Sequence, residues 1–130
     1  MATMTTLMGA VCGAAMLVAA AGSAVAQDGG AQAGQILFNN TCRTCHTTQD
    51  GDNRLGPNLH AIVGRKAGSL PNYGYSPAMK DSGLTWDEAT LDRFIANPDA
   101  VVSGNNMKPY GGLASAADRA KIIAFLKSGG

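Results

Sequence analysis

Two thiols and an imidazole lie within five consecutive residues of this chain. The stretch NTCRTCHTT places Cys42 and Cys45 with two residues between them and His46 directly after. A thiolate is a nucleophile and a soft metal ligand; an imidazole is an acid–base group and a ligand. Four chemistries use these types: a redox dithiol, half of a zinc site, a plain disulfide, or the covalent attachment of a haem.

The four make different demands on the rest of the chain. A redox dithiol is expected at a helix start inside a strand-rich unit, and no β-α-β pattern surrounds Cys42. A structural zinc site needs four ligands. After residue 26 the chain has Cys42, Cys45, His46 and His60, and the direct adjacency of Cys45 and His46 fits no finger spacing. A disulfide across two residues closes a very short loop, gains little loop entropy and leaves His46 without a role. C-x-x-C-H is the attachment pattern of c-type haem. The two thiols add to the two vinyl groups as thioethers, and the next residue, His46, is directed at the iron. This reading uses every residue of the stretch.

A haem iron so held has a second face. After residue 26 the methionines are Met79 and Met107. Met107 stands in SGNNMKPYGGL, among polar residues and glycines, which suits a presented thioether better than a packing residue. Met79, in SPAMKDSG, reads as a core filler in a short helix. His60 would give a bis-histidine iron, but a surface histidine is its plainer reading. His46 and Met107 are therefore the expected iron ligands, the Met/His pair associated with raised potential.

The compartment fits thioether chemistry. Residues 1–26 carry no charged side chain, run apolar from Leu7 to Ala21, and end in SAVAQ, with Ala24 and Ala26 at the small positions of a cleavage site. They read as a secretory signal peptide cut after Ala26, although no Lys or Arg opens it. An uncleaved anchor is the alternative, but the apolar run is shorter than the roughly 20 residues a span needs. Cys12 would leave with the leader. The domain is then 27–130, in the periplasm. All ten Lys and Arg and all nine Asp and Glu lie in it. No basic block marks a nucleic-acid or anionic-membrane partner. A domain this small has a modest core, which a large apolar cofactor would complete.

The elements that must position these side chains are helices and long loops. Residues 27–32 read as a frayed end. Ala33, Ile36, Leu37 and Asn40 share one face of a helix over 33–40. Gly34 there costs about 1 kcal/mol against Ala, which a close helix crossing would explain. Residues 47–75 read as a long loop, of the kind that wraps around something. A helical turn or two follows Ser76. Thr85 and Glu88 suggest a capping box for a helix with Leu91, Phe94 and Ile95 inward, ended by Pro98. Ser115 and Asp118 suggest another, for a last helix burying Ile122, Ile123, Phe125 and Leu126. No internal repeat and no convincing alternating strand stand out, so the fold class is all-α.

Order and spacing of GQILFNNTCRTCH, LGPNLHAIVGRKAG, YGYSPAMKDSGLTW, EATLDRFIANP and GNNMKPYGGL resemble the class I cytochromes c, the branch that includes mitochondrial cytochrome c and bacterial cytochrome c2. The resemblance spans most of residues 33–128. It implies that the first and last helices cross, with Gly34 and Phe38 against Ile122 and Phe125, and that loops wrap one covalent haem c. It implies that the Pro57 carbonyl takes a hydrogen bond from His46, and that Arg65, Tyr75 and Trp86 serve the haem propionates. There are departures. Phe94 stands where a tyrosine is found near the methionine in mitochondrial proteins. Asn105 replaces a threonine near one propionate, where its amide could still donate. Met79 stands where an asparagine often anchors a water. The lysine ring is thin, with Lys66, Lys80 and Lys108 remaining and Asp99 among them.

The expected function is one-electron transfer by a periplasmic carrier, not an enzyme, expected to be a monomer. Both axial positions are filled, so no small-molecule substrate binds the iron. The partners are redox proteins: a membrane cytochrome complex, a terminal oxidase or a periplasmic dehydrogenase. A haem enzyme or gas sensor would instead need an open sixth position. A dedicated electron-accepting subunit of one dehydrogenase would have the same site.

Overall fold

The computed structural model describes residues 24–130. The expected leader, including Cys12, lies outside the described residues apart from its last three, which open the first helix. Five helices follow in order: α1 (Ala24–Thr41), α2 (Pro77–Lys80), α3 (Glu88–Ala96), α4 (Pro98–Val101) and α5 (Ala116–Lys127). Among the described residues the only β pairing is one isolated antiparallel bridge between Lys66 and Thr85. The all-α architecture with long loops is the one the sequence suggests.

The frame of the fold is the crossing of α1 over α5, with α3 packed on α5 and α4 on α3. Gly34 sits at the crossing. A Cβ built there would run into the Lys121 carbonyl and lie 2.8 Å from the Phe125 Cβ. Without that Cβ the two backbones come close enough for Phe38 and Phe125 to pair, ring centroids 5.4 Å apart. Ile122 beneath them is fully buried.

The inward face of α1 differs from the expected one. Ile36 is 63% exposed, whereas Gly34 and Phe38 are buried and Leu37 is half-buried. The contact runs along the i, i+3, i+4 row that starts at the glycine, and Ile36 lies off that row. The helix also begins at Ala24, so residues 27–32 are helical, not frayed. Its added turns are rich in Ala and Gln, good helix formers, and offset two glycines with nothing within 4 Å of their missing Cβ atoms.

The caps explain the remaining elements. Ser76 accepts from the Met79 N–H at 3.1 Å and opens α2, with Pro77 at its first position. Met79 is buried, as a core residue should be. The N-cap of α3 is Asp87, which accepts from the Thr90 N–H at 2.7 Å, and not Thr85. Thr85 is engaged elsewhere: flanking it, Trp86 N–H donates to Arg65 at 2.8 Å and Ala67 N–H donates to Leu84 at 2.8 Å. Pro98 does not only end α3; it opens α4, capped by Asn97. Ser115 caps α5 as expected, accepting from the Asp118 N–H at 3.2 Å. Leu91, Phe94 and Ile95 of α3 and Ile122, Ile123, Phe125 and Leu126 of α5 are buried, as their spacing implies.

Candidate haem-binding site

The C-x-x-C-H segment is one tight turn hung from the end of α1. Cys42 N–H donates to Phe38 at 2.7 Å, and Cys45 and His46 N–H donate to Cys42 at 3.1 and 3.0 Å. The following loop returns to it. Gly56 N–H donates to Cys45 at 2.8 Å and Leu59 N–H to Thr47 at 2.7 Å. This double attachment sets the Pro57 carbonyl beside His46, whose Nδ1 donates to it at 2.7 Å. With Nδ1 carrying the proton, Nε2 holds a lone pair. Burial pushes the His46 pKa down, against the raising effect of the Pro57 bond, which keeps the ring neutral. Gly56 completes this seat: a Cβ there would lie 2.6 Å from Nδ1, inside the imidazole's own space.

Cys42 and Cys45 are both half-buried and carry free thiols. Burial first, and Cys45 second, push the Cys42 thiol up to about 11. Among the described residues no group of three or more His, Cys, Asp and Glu could hold a metal ion.

Residues from distant loops converge on the same core. Cys42, Tyr75 and Met107 all pack against a cluster that includes Met79, Trp86 and Phe94. Trp86 and Phe94 pack with ring centroids 4.9 Å apart and planes tilted by 57°. Tyr75 meets Tyr73 edge-on at 4.9 Å. Arg65 lies beside Tyr75. Desolvation lowers its pKa, while Tyr75 and Asp50 hold it up. Its guanidinium donates to the Asn58 carbonyl at 2.7 Å and to that of His60. Among the described residues it makes no ion pair. A half-buried cation with spare donors beside a phenol suits a carboxylate-bearing group. His60 itself is exposed, in keeping with a surface role.

Two placements were not legible in the sequence. Among the described residues Asn58 is the most buried polar one, at 1% exposure. Its N–H and its side-chain amide both donate to the Asn53 Oδ1 at 2.9 Å, which shapes the loop that Arg65 grips. The GPNL turn was the available signal. Asn105 was expected to offer its amide to a propionate. Instead its Nδ2 donates to Asp99 Oδ1 and to the Val102 carbonyl, both at 2.9 Å. An amide has two N–H donors, and both are engaged within the chain.

The residues fit a haem: a neutral imidazole with a free nitrogen, two unpaired thiols in one turn, a thioether on the same core and an unpaired guanidinium. Comparison with known proteins agrees. The model of a family described as "Cytochrome C oxidase, cbb3-type, subunit III" matches residues 29–126. Cytochrome c2 of Rhodomicrobium vannielii is 50% identical over 97 residues, 72% of this chain and 74% of that protein. Cytochrome c2 iso-1 of Magnetospirillum molischianum is 47% identical over 90 residues, 68% of this chain and 90% of that protein. Among solved structures, cytochrome cH from Methylobacterium extorquens matches with a TM-score of 0.69 at 39% identity, over 75% of this chain and 97% of that one.

Proposed function

The chain belongs to the class I cytochromes c and carries covalent haem c, and we propose that it is a periplasmic one-electron shuttle with His46 and Met107 as axial ligands. The observation that carries this reading is the His46–Pro57 hydrogen bond. It fixes the tautomer with Nε2 available and holds the ring still, as outer-shell partners of metal-bound histidines do.

The haem supplies an iron that changes by one electron between ferric and ferrous. Cys42 and Cys45 would tether the group through thioethers, His46 would bind the iron as a neutral ligand, and Met107 would supply it a thioether from its loop. Arg65, Tyr75 and Trp86 serve the propionates, Arg65 by charge and Tyr75 by its phenol. The buried core around Trp86 and Phe94 excludes water, which keeps the reorganisation on electron transfer small.

The partners are redox proteins met in short-lived encounters, which use small interfaces. The formal net charge of +1 gives little overall steering. Lys108, one of the three lysines that remain of the expected ring, is paired with Asp99. Partner choice therefore rests on local shape more than on a cationic ring. Residues 1–26 act as the export leader, which brings the thiols to the compartment where haem attachment takes place. Export followed by cleavage after Ala26 is read by the N-terminal sequence of the protein recovered from periplasm.

The test is spectroscopic. Ferric protein should show the thioether–iron band, and Met107→Ala should abolish it with haem still attached. Reduced protein should bind carbon monoxide slowly, and the Met107→Ala variant rapidly. Rapid binding by the unmodified protein would replace the shuttle with a gas-binding reading.

A further inference from the structure

Met107 lies in a stretch with no helix or strand, between α4 and α5. Its own main chain does little to fix it. Within residues 103–112 the backbone bonds are Asn105 N–H to Val102 at 3.2 Å and Lys108 N–H to Asn106 at 2.8 Å. The position of a residue in such a segment depends on side chains.

Tyr110 anchors the far side of the segment, its hydroxyl donating to the Ile95 carbonyl at 2.6 Å, while the side chains next to Met107 converge on one carboxylate. Asn105, two residues before Met107, donates from Nδ2 to Asp99 Oδ1 at 2.9 Å. Lys108, one residue after it, donates from Nζ to Asp99 Oδ1 at 2.6 Å and Oδ2 at 2.5 Å. Asn105 also closes on the methionine itself, its Oδ1 accepting from the Met107 N–H at 2.9 Å. The chain on both sides of Met107 is thus tied to a single residue of α4.

Burial separates this arrangement from ordinary fold stabilisation. Asn105 is buried, whereas the side chains of Asp99 and Lys108 are 59% and 54% exposed. Exposed ion pairs contribute little to global stability. The same contacts act fully on the local freedom of the loop, because nothing else holds Lys108 to α4. We propose that Asp99, Asn105 and Lys108 form a latch whose function is to hold Met107 at the iron and keep other ligands off it. They are positioning residues, and the inference rests on Met107 being the axial ligand.

The test uses ferric holoprotein and imidazole as a competing ligand. Asp99→Ala and Asn105→Ala should each raise imidazole affinity about tenfold and weaken the thioether–iron band at neutral pH. Asp99→Glu should restore most of the difference. Lys127→Gln, which breaks the exposed pair with Glu88, should move neither readout. If Asp99→Ala accumulates poorly as holoprotein, Asp99→Asn keeps shape and an acceptor while losing the charge. It should raise imidazole affinity about two- to threefold. Imidazole affinity and band unchanged in the Asp99 and Asn105 variants would overturn the latch. An unchanged band in Met107→Ala would overturn the ligand assignment and the latch with it, so the two failures are told apart.

Discussion

His46 donates from Nδ1 to the Pro57 carbonyl at 2.7 Å, and it can do so because the residue before that proline has no side chain. The Cβ of an alanine at position 56 would lie 2.6 Å from the same nitrogen. Gly56→Ala must therefore displace either the ring or the loop. Overpacking of this kind costs about 1–3 kcal/mol. Holoprotein carrying the variant should unfold at lower denaturant concentration with an unchanged slope. Because the tautomer-fixing bond is strained, its reduction potential should shift too. A variant with parental midpoint and potential would mean that the loop yields freely and the ring is held by something else.

Gly34 offers the opposite sign from its neighbours in the same helix. On propensity alone Gly→Ala in a helix gains about 1 kcal/mol. At position 34 the new Cβ meets the Lys121 carbonyl and the Phe125 Cβ, backbone and branch point of a packed helix that cannot swing aside. Overpacking at about 1–3 kcal/mol outweighs the propensity gain. Gly34→Ala should destabilise and Gly30→Ala, with nothing within 4 Å, should be neutral or slightly stabilising. Thermal unfolding of the two variants side by side checks the sign. Equal responses would remove the crossing as the reason for the glycine.

The contrast between these positions also shows what a sequence can reveal. Gly34 was readable because a costly residue in a helix asks for a neighbour, and Cys42, Cys45 and His46 because their adjacency serves few chemistries. The cap at Ser115 was readable because its partner, Asp118, lies three residues away. What escaped depends on contacts distant in sequence. Thr85 has the right neighbours for a cap, but its segment is paired to the chain around Lys66, so Asp87 takes the role. Ile36 looks inward until the α5 contact row is known. Asn105 looks free to serve a propionate until Asp99 of the preceding helix is seen to hold it.

Asp87 should leave a mark on the acid side of the stability profile. Its carboxylate accepts from the Thr90 N–H, and that bond, first among the causes, lowers its pKa below the usual 3.8. A carboxyl depressed in the folded state binds fewer protons than in the unfolded chain. Its stabilising effect is complete above the unfolded value and is lost as pH falls through the folded one. Asp87→Asn keeps a capping oxygen and removes the titration. The variant should lose less stability than the parent between about pH 4 and pH 2, measured by denaturant unfolding at stepped pH. Parallel curves would show that the carboxylate titrates alike in both states.

Arg119 ties the far end of the methionine-bearing segment to the helical frame. From α5 its Nε donates to Asp92 of α3 at 2.7 Å, and its Nη1 to the Leu113 and Ala114 carbonyls at 2.9 and 2.8 Å. The side chain is only 11% exposed, so these bonds are sheltered from water, although Asp92 is 42% exposed. Hydrogen bonds involving a charged partner contribute about 1.5–3 kcal/mol, discounted here by that exposure. Arg119→Ala should lower holoprotein stability by about 1–3 kcal/mol, read as a shift in denaturant midpoint. Arg119→Lys should recover only part of it, because a single ammonium cannot span the carboxylate and two carbonyls as the planar fork does. Full recovery by lysine would show that charge next to Asp92, and not the fork, is what holds the segment down.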